Sequence, residues 1–463
     1  MKRAGTLAGI LLPLLLLVAP LPESLSAYRL PGALVIFTIL FWMTEVLPAE
    51  LTSLIFLLLL AILKVAPNSV IFSGFTAGAW WLVFAGLTLG AAVQKSGLGR
   101  RVALLLLRVA GTSYAQALFG LMLAAFLLAF LIPSSSARAA LMVPLAIGVA
   151  EAFQVAPLSA AGAGLVLGVT AACHFPAFGI LTATVPNLVL LGTAESLYNT
   201  TFLYGTWAYL LMPTVGIAKF FLTYLVVLLL FGRGAPRRGS SPHLQRSGAW
   251  EAPGPLSAEE KRLIIILGLA LAGWSTDSLH QIKASWIGLG AAALALLPRL
   301  GTLTPLDFRT RINYSALFFL AGILGLGSTL HATGAGKVLG TYLFTYVPLA
   351  SMSESARVAV VALFSALLGL FTTVPALPAV LTPILGSLAQ QQQLDLSRLL
   401  VMQVLGFSVG FFVYQMPPFV LAQGFGYFSA RQGTRFLLLL TALSFLIIVP
   451  LSIAYWRLIG YLS

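Results

Sequence analysis

Three adjacent serines and an arginine interrupt a long apolar region in the first third of the chain. Ser134, Ser135 and Ser136 are followed by Arg138, and the residues on both sides are almost wholly apolar. Hydroxyl groups donate hydrogen bonds, and a guanidinium adds a permanent charge that can clamp a carboxylate with two parallel bonds. A charged side chain within membrane-type sequence indicates a functional site. This group of residues therefore predicts a binding site for a small anion.

The apolar runs on the two sides of this polar group, 117–132 and 139–150, are both short. A helix needs roughly 20 residues to cross a bilayer, so neither run is long enough. Two short helices joined by a polar break are typical of a re-entrant hairpin. Irregular backbone at membrane depth is tolerated only inside protein or beside water. The sequence therefore predicts a hairpin over 117–150 with its polar tip at a central cavity.

Composition places the chain among integral membrane proteins. Of its 463 residues 59% are hydrophobic and 8% are charged, whereas soluble domains carry about a quarter charged residues. The formal net charge is +14, but the basic residues lie in loops rather than on an aromatic-rich soluble domain. We therefore expect the lipid bilayer, and no nucleic acid, as partner. The single cysteine, Cys173, excludes an intramolecular disulfide and a zinc site built from cysteines.

The order of the hydrophobic runs predicts an all-α polytopic protein of about eleven transmembrane helices and two re-entrant hairpins. The predicted segments are an N-terminal transmembrane helix or signal-like segment (1–29), a first repeat (30–231) with a hairpin (117–150) and a broken helix (158–192), a basic cytoplasmic linker (232–262), and a second repeat (263–463) with a hairpin (358–389) and a broken helix (399–428).

Short sequence matches support two related halves. Residues 42–45 and 274–277 read Trp-Met-Thr-Glu and Trp-Ser-Thr-Asp, and Pro144 and Pro383 occupy matching places in the two hairpins. Each half contains an odd number of predicted crossings, so the second half enters the membrane from the opposite side. Inverted repeats with broken helices meeting near the midplane are the usual binding-site architecture of secondary transporters.

The distribution of lysine and arginine predicts the orientation. With the N-terminus in the cytoplasm, seventeen of the 26 basic residues fall on cytoplasmic segments and seven on external ones. Arg138 and Lys219 lie within the membrane. Because basic residues are retained on the cytoplasmic side, we expect a cytoplasmic N-terminus and an external C-terminus in a plasma or bacterial inner membrane.

Several motifs carry a family resemblance. Residues 41–48 contain Trp-x-Thr-Glu-x-x-Pro, residues 96–101 read Ser-Gly-Leu-Gly-Arg-Arg, and Val185-Pro186-Asn187 follows the first broken helix. Together they resemble the divalent anion:sodium symporter family of the ion-transporter superfamily, over nearly the whole chain. The resemblance implies a homodimer in which a transport domain moves against a scaffold domain as an elevator. It also implies a secondary-active carrier of small anions, chiefly di- or tricarboxylates, rather than an enzyme.

In that family the two hairpin tips carry Ser-Asn-Thr motifs that bind substrate carboxylates and line two sodium sites. For this chain the predicted substrate-binding residues are Ser134, Ser135, Ser136, Arg138, Thr184, Pro186, Asn187, Thr372, Thr373 and Gln415, and the predicted sodium ligands are Ser134, Ser135 and Gly179. No cofactor is expected other than sodium as a coupling ion.

This chain departs from the family pattern at both tips. Ser135 replaces the asparagine, Arg138 replaces a small polar residue, and residues 372–378 have lost the Ser-Asn-Thr pattern. We expect Arg138 to take the place of a sodium ion, by binding the anion or by neutralising the cation site. The alternative is an arginine that extends toward headgroups or pairs with Glu151. Coupling to sodium, to protons or to a counter-substrate remains open.

Other residues suggest different chemistry. His174 is a candidate proton carrier, although a hydrogen-bonded histidine at a helix break is the favoured interpretation. Glu45 and Asp277 are interpreted as structural helix ends. Residues 406–410 match Gly-x-Ser-x-Gly, but inside a membrane run this pattern favours close helix packing over a nucleophile. Two other functions stay open beside a carrier of di- or tricarboxylates. One is another permease of the superfamily, for oxyanions or for cation/proton antiport, and the other is an intramembrane enzyme that uses Ser408.

Overall fold

The computed structural model describes residues 2–20, 22–44, 46–111, 113–233, 235, 254–344 and 348–463. Throughout these residues the regular secondary structure is helical. Most of the predicted basic linker lies outside the described residues, and so does Glu45. The prediction of an all-α fold is confirmed for the described part of the chain.

The described residues up to 235 form ten long helices, joined by short helical turns at Glu23–Ser26, Asn68–Ile71, Ser73–Thr76, Leu128–Phe130 and Pro176–Gly179. The long helices are α1 (Lys2–Val18), α2 (Arg29–Thr44), α3 (Ala49–Ile62), α4 (Gly78–Ser96), α5 (Leu98–Ala110), α6 (Tyr114–Leu127), α7 (Ser135–Ala152), α8 (Ala160–His174), α9 (Val185–Tyr198) and α10 (Tyr204–Phe231).

The part that begins at residue 254 forms a comparable series, with short turns at Asp277–His280, Leu349–Ser351 and Val413–Gln415. Its helices are α11 (Ala258–Ser275), α12 (Ala284–Leu296), α13 (Pro305–Arg311), α14 (Tyr314–Ala332), α15 (Ala335–Phe344), α16 (Glu354–Leu368), α17 (Leu377–Gln392), α18 (Leu396–Phe407), α19 (Pro417–Gln423) and α20 (Ala430–Leu458).

Local chemistry explains where the first hairpin bends. Pro133 lacks a backbone N–H and cannot continue the preceding helical turn, so the chain leaves the helix there. Ser134 then caps α7, because its hydroxyl accepts a hydrogen bond from the N–H of Ala137 at 3.3 Å. The resulting pair of helices, α6 and α7, extends the predicted hairpin by two or three residues at each end.

Matching local details recur on the two sides of the linker. Gly97 after α4 and Gly334 after α14 both adopt left-handed backbone, with φ of 77° and 74°, which favours glycine. The indole N–H of Trp42 donates to the carbonyl of Ala49 at 3.1 Å, and that of Trp274 donates to Ala284 at 3.0 Å. The last helix of each side, α10 and α20, contains a π-helical segment.

Helices from the two sides pack across one another. Helix α4 packs against α12, and α14 packs against α3, where Gly322 lies directly on Ser53. The second hairpin consists of α16 and α17, and the second broken helix of α18 and α19. The second arm of each hairpin packs on the opposite side, because α7 contacts α19 and α17 contacts α9. Each hairpin is therefore held against the broken helix of the opposite side.

Helix length and apolar composition fit a bilayer. Among the described residues, five helical stretches are long and apolar enough to cross a membrane. They are Ser135–Ala152, Ala160–Gly179, Tyr204–Phe231, Tyr314–Ala332 and Ala430–Leu458. Helix α7 belongs to this set, so the second arm of the first hairpin is longer than the sequence pattern suggested.

The glycine that begins the Gly-x-Ser-x-Gly pattern lies at a helix contact. A β-carbon added at Gly406 would lie 2.1 Å from the carbonyl oxygen of Ala362 and 2.4 Å from the β-carbon of Ser365. Both residues belong to α16, and the Ser365 hydroxyl donates to the carbonyl of Gln403 on α18. The interpretation of Gly406 as a packing residue agrees with this contact.

Replacing Gly406 with alanine tests this contact. We expect Gly406→Ala to lower the thermal unfolding temperature in detergent, since overpacking costs roughly 1–3 kcal/mol. Gly268→Ala is the matched control, because a β-carbon there meets no atom within 4 Å. A helix-interior alanine should stabilise by up to about 1 kcal/mol. Equal unfolding temperatures for the two variants would contradict the packing role.

Candidate functional site

The first broken helix leaves a gap between α8 and α9. Helix α8 ends at His174, a short 3-10 turn covers Pro176–Gly179, and α9 begins at Val185 with Pro186 in its first turn. Proline suits a helix start because its missing N–H would have no partner there. The carbonyl groups at the end of α8 are left without partners within the helix, and a buried end requires partners from elsewhere.

Arg138 supplies those partners from the hairpin. Its guanidinium is fully buried, and its Nε and Nη2 donate to the carbonyl of Cys173 at 3.2 and 2.6 Å. The Nη1 donates to the carbonyl of Ala183 at 3.1 Å and to that of Ile132, and Nη2 donates to the hydroxyl of Ser135 at 3.1 Å. One side chain thus connects the hairpin tip to both sides of the break.

This geometry uses all five N–H donors of the guanidinium. Arg138 does not extend toward headgroups or pair with Glu151, so that alternative is wrong. No donor is left to clamp a carboxylate directly in this conformation. What Arg138 brings to the site is a fixed positive charge at the C-terminal end of α8, where the helix dipole favours a cation.

The oxygen atoms around Arg138 are of the type that sodium would take. The guanidinium already holds three carbonyls and the Ser135 hydroxyl, and the Ser134 hydroxyl caps α7. Gly179 packs against Gly216 and Met212 of α10. The residues at the first break therefore do not fit a sodium ion, because a second cation would lie against the guanidinium.

A second buried basic side chain lies at the break in the second broken helix, between α18 and α19. Lys219, on α10, is 1% exposed, and its ammonium donates to the carbonyl of Ser408 at 2.5 Å and to the Ser408 hydroxyl at 2.9 Å. Ser408 follows the last residue of α18, Phe407. The ammonium also lies 5.4 Å from the ring centre of Phe175. A basic side chain therefore binds a backbone carbonyl at the end of α8, and another binds one directly after α18.

Reasoning from sequence missed the role of Lys219. The available signal was a lone charge within the longest apolar run, which marks a function in membrane segments. Its partner Ser408 lies 189 residues away in the chain, so no local pattern connects them.

Two amides hold the irregular segments. The Asn187 amide donates to the carbonyls of Phe178 and Ile180 at 3.1 and 3.0 Å, which ties α9 to the turn before it. The side-chain oxygen of Gln415 accepts from the backbone N–H groups of Phe411 and Phe412 at 2.7 and 2.8 Å. Both predicted ligands, Asn187 and Gln415, therefore hold the backbone of an irregular segment.

Gln415 also holds the second tip. Its amide nitrogen donates to the carbonyl of Gly369, and its backbone carbonyl accepts from the N–H of Val374 at 3.1 Å. Gln415 thus lies directly against the segment that contains Thr372 and Thr373.

Several polar atoms near the breaks are buried without a hydrogen-bond partner among the described residues. They are the hydroxyls of Thr182, Thr184, Thr372 and Thr373, the side-chain oxygen of Asn187 and both ring nitrogens of His174. Buried polar groups are normally paired, so such a concentration calls for a polar species that completes them. The expectation of a hydrogen-bonded His174 is wrong for this conformation. Its ring packs instead against Phe175, Phe178 and Phe419.

Each hairpin tip borders a separate cavity. The cavity at the first tip measures about 230 Å³ and includes Ser134, Ser136 and Gln94 in its wall. The cavity at the second tip measures about 350 Å³ and includes Thr373 and Pro375. The predicted tip residues thus divide between two cavities.

Comparison with known proteins gives consistent results. Residues 2–462 match the family model described as the sodium:sulfate symporter transmembrane region. A membrane protein of Cupriavidus necator is 30% identical over 479 aligned positions, which cover 99% of this chain and 93% of that protein. The L-tartrate/succinate antiporter of Escherichia coli strain K12 is 28% identical over 399 positions, covering 83% and 79% of the two chains.

A solved structure is also similar. The YdaH transporter of Alcanivorax borkumensis matches with a TM-score of 0.53 at 16% sequence identity. The match covers 85% of this chain and 88% of that one, so the two chains have a similar fold.

Changing Arg138 to glutamine tests its bonds at the first break. We expect a lower unfolding temperature, because each buried carbonyl left unpaired costs about 1–3 kcal/mol. Arg138→Lys should be intermediate, since it keeps the charge and loses the planar fork. Arg309→Gln, at an exposed position, is the control. Unfolding of Arg138→Gln at the same temperature as Arg309→Gln would exclude the proposed bonding.

Proposed function

The chain belongs to the sodium:sulfate symporter family of membrane transporters, and we propose that it exchanges small dicarboxylates across the membrane without using sodium. Membership of the family, and relatives that include an L-tartrate/succinate antiporter, support a secondary anion transporter. The observation that carries the exchange proposal is the pair of buried basic side chains, Arg138 and Lys219, at the two helix breaks.

The choice of a dicarboxylate follows from the same charges. Two fixed cations in a low-dielectric interior are costly to move through the membrane without counter-charge. A bound dianion adds two negative charges that offset this positive charge within the transport domain, so the loaded domain can cross while the empty one is held back. In a symporter the coupling cations leave with the substrate, and the empty carrier can return. Fixed cations therefore favour exchange of one anion for another.

The moving parts in this proposal follow from the packing. We assign the hairpins and broken helices, α6–α10 and α16–α20, to a transport domain, and α1–α4 with α11–α14 to a scaffold. Helices α5 and α15 connect the two. The recurring order of elements and the crossed packing of hairpins on broken helices support two inverted repeats, 30–231 and 263–463. Elevator movement within a homodimer completes the proposal.

The proposed orientation rests on the basic residues. A cytoplasmic N-terminus places most lysines and arginines on the cytoplasmic side and the C-terminus outside. The first hairpin then opens from the cytoplasm and the second from outside.

One contact favours a second candidate function, an intramembrane hydrolase. Ser408 lies 2.9 Å from the ammonium of Lys219, a distance that a serine–lysine nucleophile requires. However, the Ser408 hydroxyl donates to the carbonyl of Leu405 and is 1% exposed, and the residue lines neither tip cavity. Covalent labelling of Ser408 by a fluorophosphonate would favour the enzyme, and its absence favours the carrier.

Counterflow in proteoliposomes tests exchange. Vesicles that contain the protein and are preloaded with succinate should take up labelled succinate at the same rate in sodium and in choline buffer. Vesicles without internal dicarboxylate should take up little, because the empty carrier does not return. Strong stimulation by an inward sodium gradient in empty vesicles would contradict the proposal.

A matched pair of lysine variants extends this experiment. Lys219→Gln removes one fixed cation, so we expect slower exchange of dianions by about tenfold or more. Lys261→Gln changes an exposed lysine outside the two breaks and should leave exchange unchanged. Equal exchange rates for the two variants would remove Lys219 from the mechanism.

A further inference from the structure

The cavity at the first hairpin tip has a second wall that the hairpin does not supply. One wall consists of Ser134, Ser136, Ala137 and Ala140 at the start of α7. The opposite wall comes from α4, from the last residue of α13 and from the segment that joins α13 to α14. Its residues are Gly86, Leu87, Gly90, Ala91, Gln94, Arg311 and Asn313, with Leu421 of α19 closing the side.

The polar groups of this cavity lie at two levels. Ser134 and Ser136 are half-buried at its inner end, where Pro133 packs on Gly86. Gln94, Arg311 and Asn313 are exposed and form its outer end. A ligand that touches both levels meets hydroxyl groups at one end and a guanidinium at the other. Such an arrangement suits an elongated molecule with two acceptor groups.

The outer end carries a net positive charge. The Arg311 Nε donates to the carboxylate of Asp307 at 2.7 Å, and Lys95 donates to the same carboxylate at 2.8 Å. The side chains of Arg311 and Lys95 thus share the single carboxylate of Asp307, which leaves one positive charge in excess. The hydrogen bond from Lys95, with those from Thr304, holds the pKa of the Asp307 carboxyl well below its usual range. The cluster therefore keeps its net charge at physiological pH.

Asp307 also fixes Arg311 in place. Its carboxylate is held by Lys95 and by the backbone N–H and hydroxyl of Thr304. The bond that Arg311 makes uses Nε, and the two Nη groups carry the remaining four donors. A side chain anchored at Nε can present its Nη groups to a second carboxylate.

Two helix N-termini add to the same field. Ser134 caps α7, and Asn313 caps α14. The side-chain oxygen of Asn313 accepts from the N–H of Ala316 at 3.2 Å. Both caps line the cavity. Since helix N-termini carry partial positive charge, they reinforce the attraction of an anion between them.

The cavity at the second tip offers a contrast. Its wall is formed by Trp42, Val46, Leu47, Pro48, Ala49, Phe319, Thr373, Pro375 and Pro417. Among these described residues none is charged, and Thr373 supplies the side-chain hydroxyl. Recognition of an anion therefore falls to the cavity at the first tip. With about 230 Å³ it is smaller than the roughly 300–1,000 Å³ typical of sites for drug-sized ligands.

We propose that Arg311 is a substrate-binding residue that holds the outer carboxylate of a dicarboxylate, while Ser134 and Ser136 at the hairpin tip hold the inner one. This inference rests on the proposed transport of dicarboxylates and adds how the second carboxylate is read. Arg311 belongs to the proposed scaffold and the serines to the proposed transport domain, so the ligand bridges the two. A ligand with one carboxylate gains nothing from Arg311.

The test compares Arg311→Gln with Arg309→Gln, which changes an exposed arginine two residues away that does not line the cavity. Succinate counterflow in proteoliposomes gives the KM, and inhibition by succinate and by butyrate gives the preference for two carboxylates over one. We expect Arg311→Gln to raise the KM for succinate by about tenfold or more. Inhibition by butyrate should remain unchanged, because this anion has a single carboxylate.

A cysteine variant separates charge from folding. Arg311→Cys can be modified selectively, because the native Cys173 is fully buried. A positively charged methanethiosulfonate reagent should restore affinity for succinate, and a negatively charged reagent should not. This comparison uses one folded protein, so a general loss of structure cannot produce the difference.

The outcomes are distinguishable. Loss of succinate affinity in Arg311→Gln alone, with butyrate unaffected, supports the inference. A KM equal to that of Arg309→Gln, in a wild type that exchanges succinate, overturns the role of Arg311 and leaves the carrier intact. A wild type that exchanges neither succinate nor tartrate overturns the proposed function, and the role of Arg311 with it.

Discussion

The structure depends on the cost of interrupting a helix inside a membrane protein. The carbonyl groups at the end of α8 lose their helical partners at the break, and they carry the negative end of the helix dipole. Water satisfies such groups at a surface, but here they are buried. Arg138 reaches across from the hairpin and binds carbonyls on both sides of the break. The same contact that satisfies the backbone therefore fixes the hairpin tip and gives the site a charge.

A second basic side chain repeats this solution from a different direction. Lys219 approaches the end of α18 from α10, and it binds both the carbonyl and the hydroxyl of Ser408. The two cations are not interchangeable, since a guanidinium distributes its charge over a rigid fork and an ammonium is a compact point charge. Both nevertheless stay with the protein during transport. A carrier built in this way stores its counter-charge in the chain, and that links the helix breaks to the proposed exchange of dianions.

Much of the architecture followed from the sequence, and the contacts within the site did not. Polar residues between short apolar runs located the turn between α6 and α7, and prolines and glycines located the ends of α8 and α18, because these residues act locally. The partners of Arg138 and Lys219 depend on where distant segments meet, which no local pattern encodes. No local sequence motif marks Arg311 as a ligand, because it lies among other basic residues of a polar segment. Its position in the wall of the first-tip cavity follows from the packing of α13 and α14 beside the hairpin.

The most direct test of this account is equilibrium binding of radioactive sodium to the purified protein in lipid nanodiscs, with succinate present at saturation. The two fixed cations already hold the oxygens at both breaks, so the account predicts no saturable sodium binding. Saturable binding of sodium that strengthens as succinate is added would show that the ion shares the site, and the central claim would then be wrong.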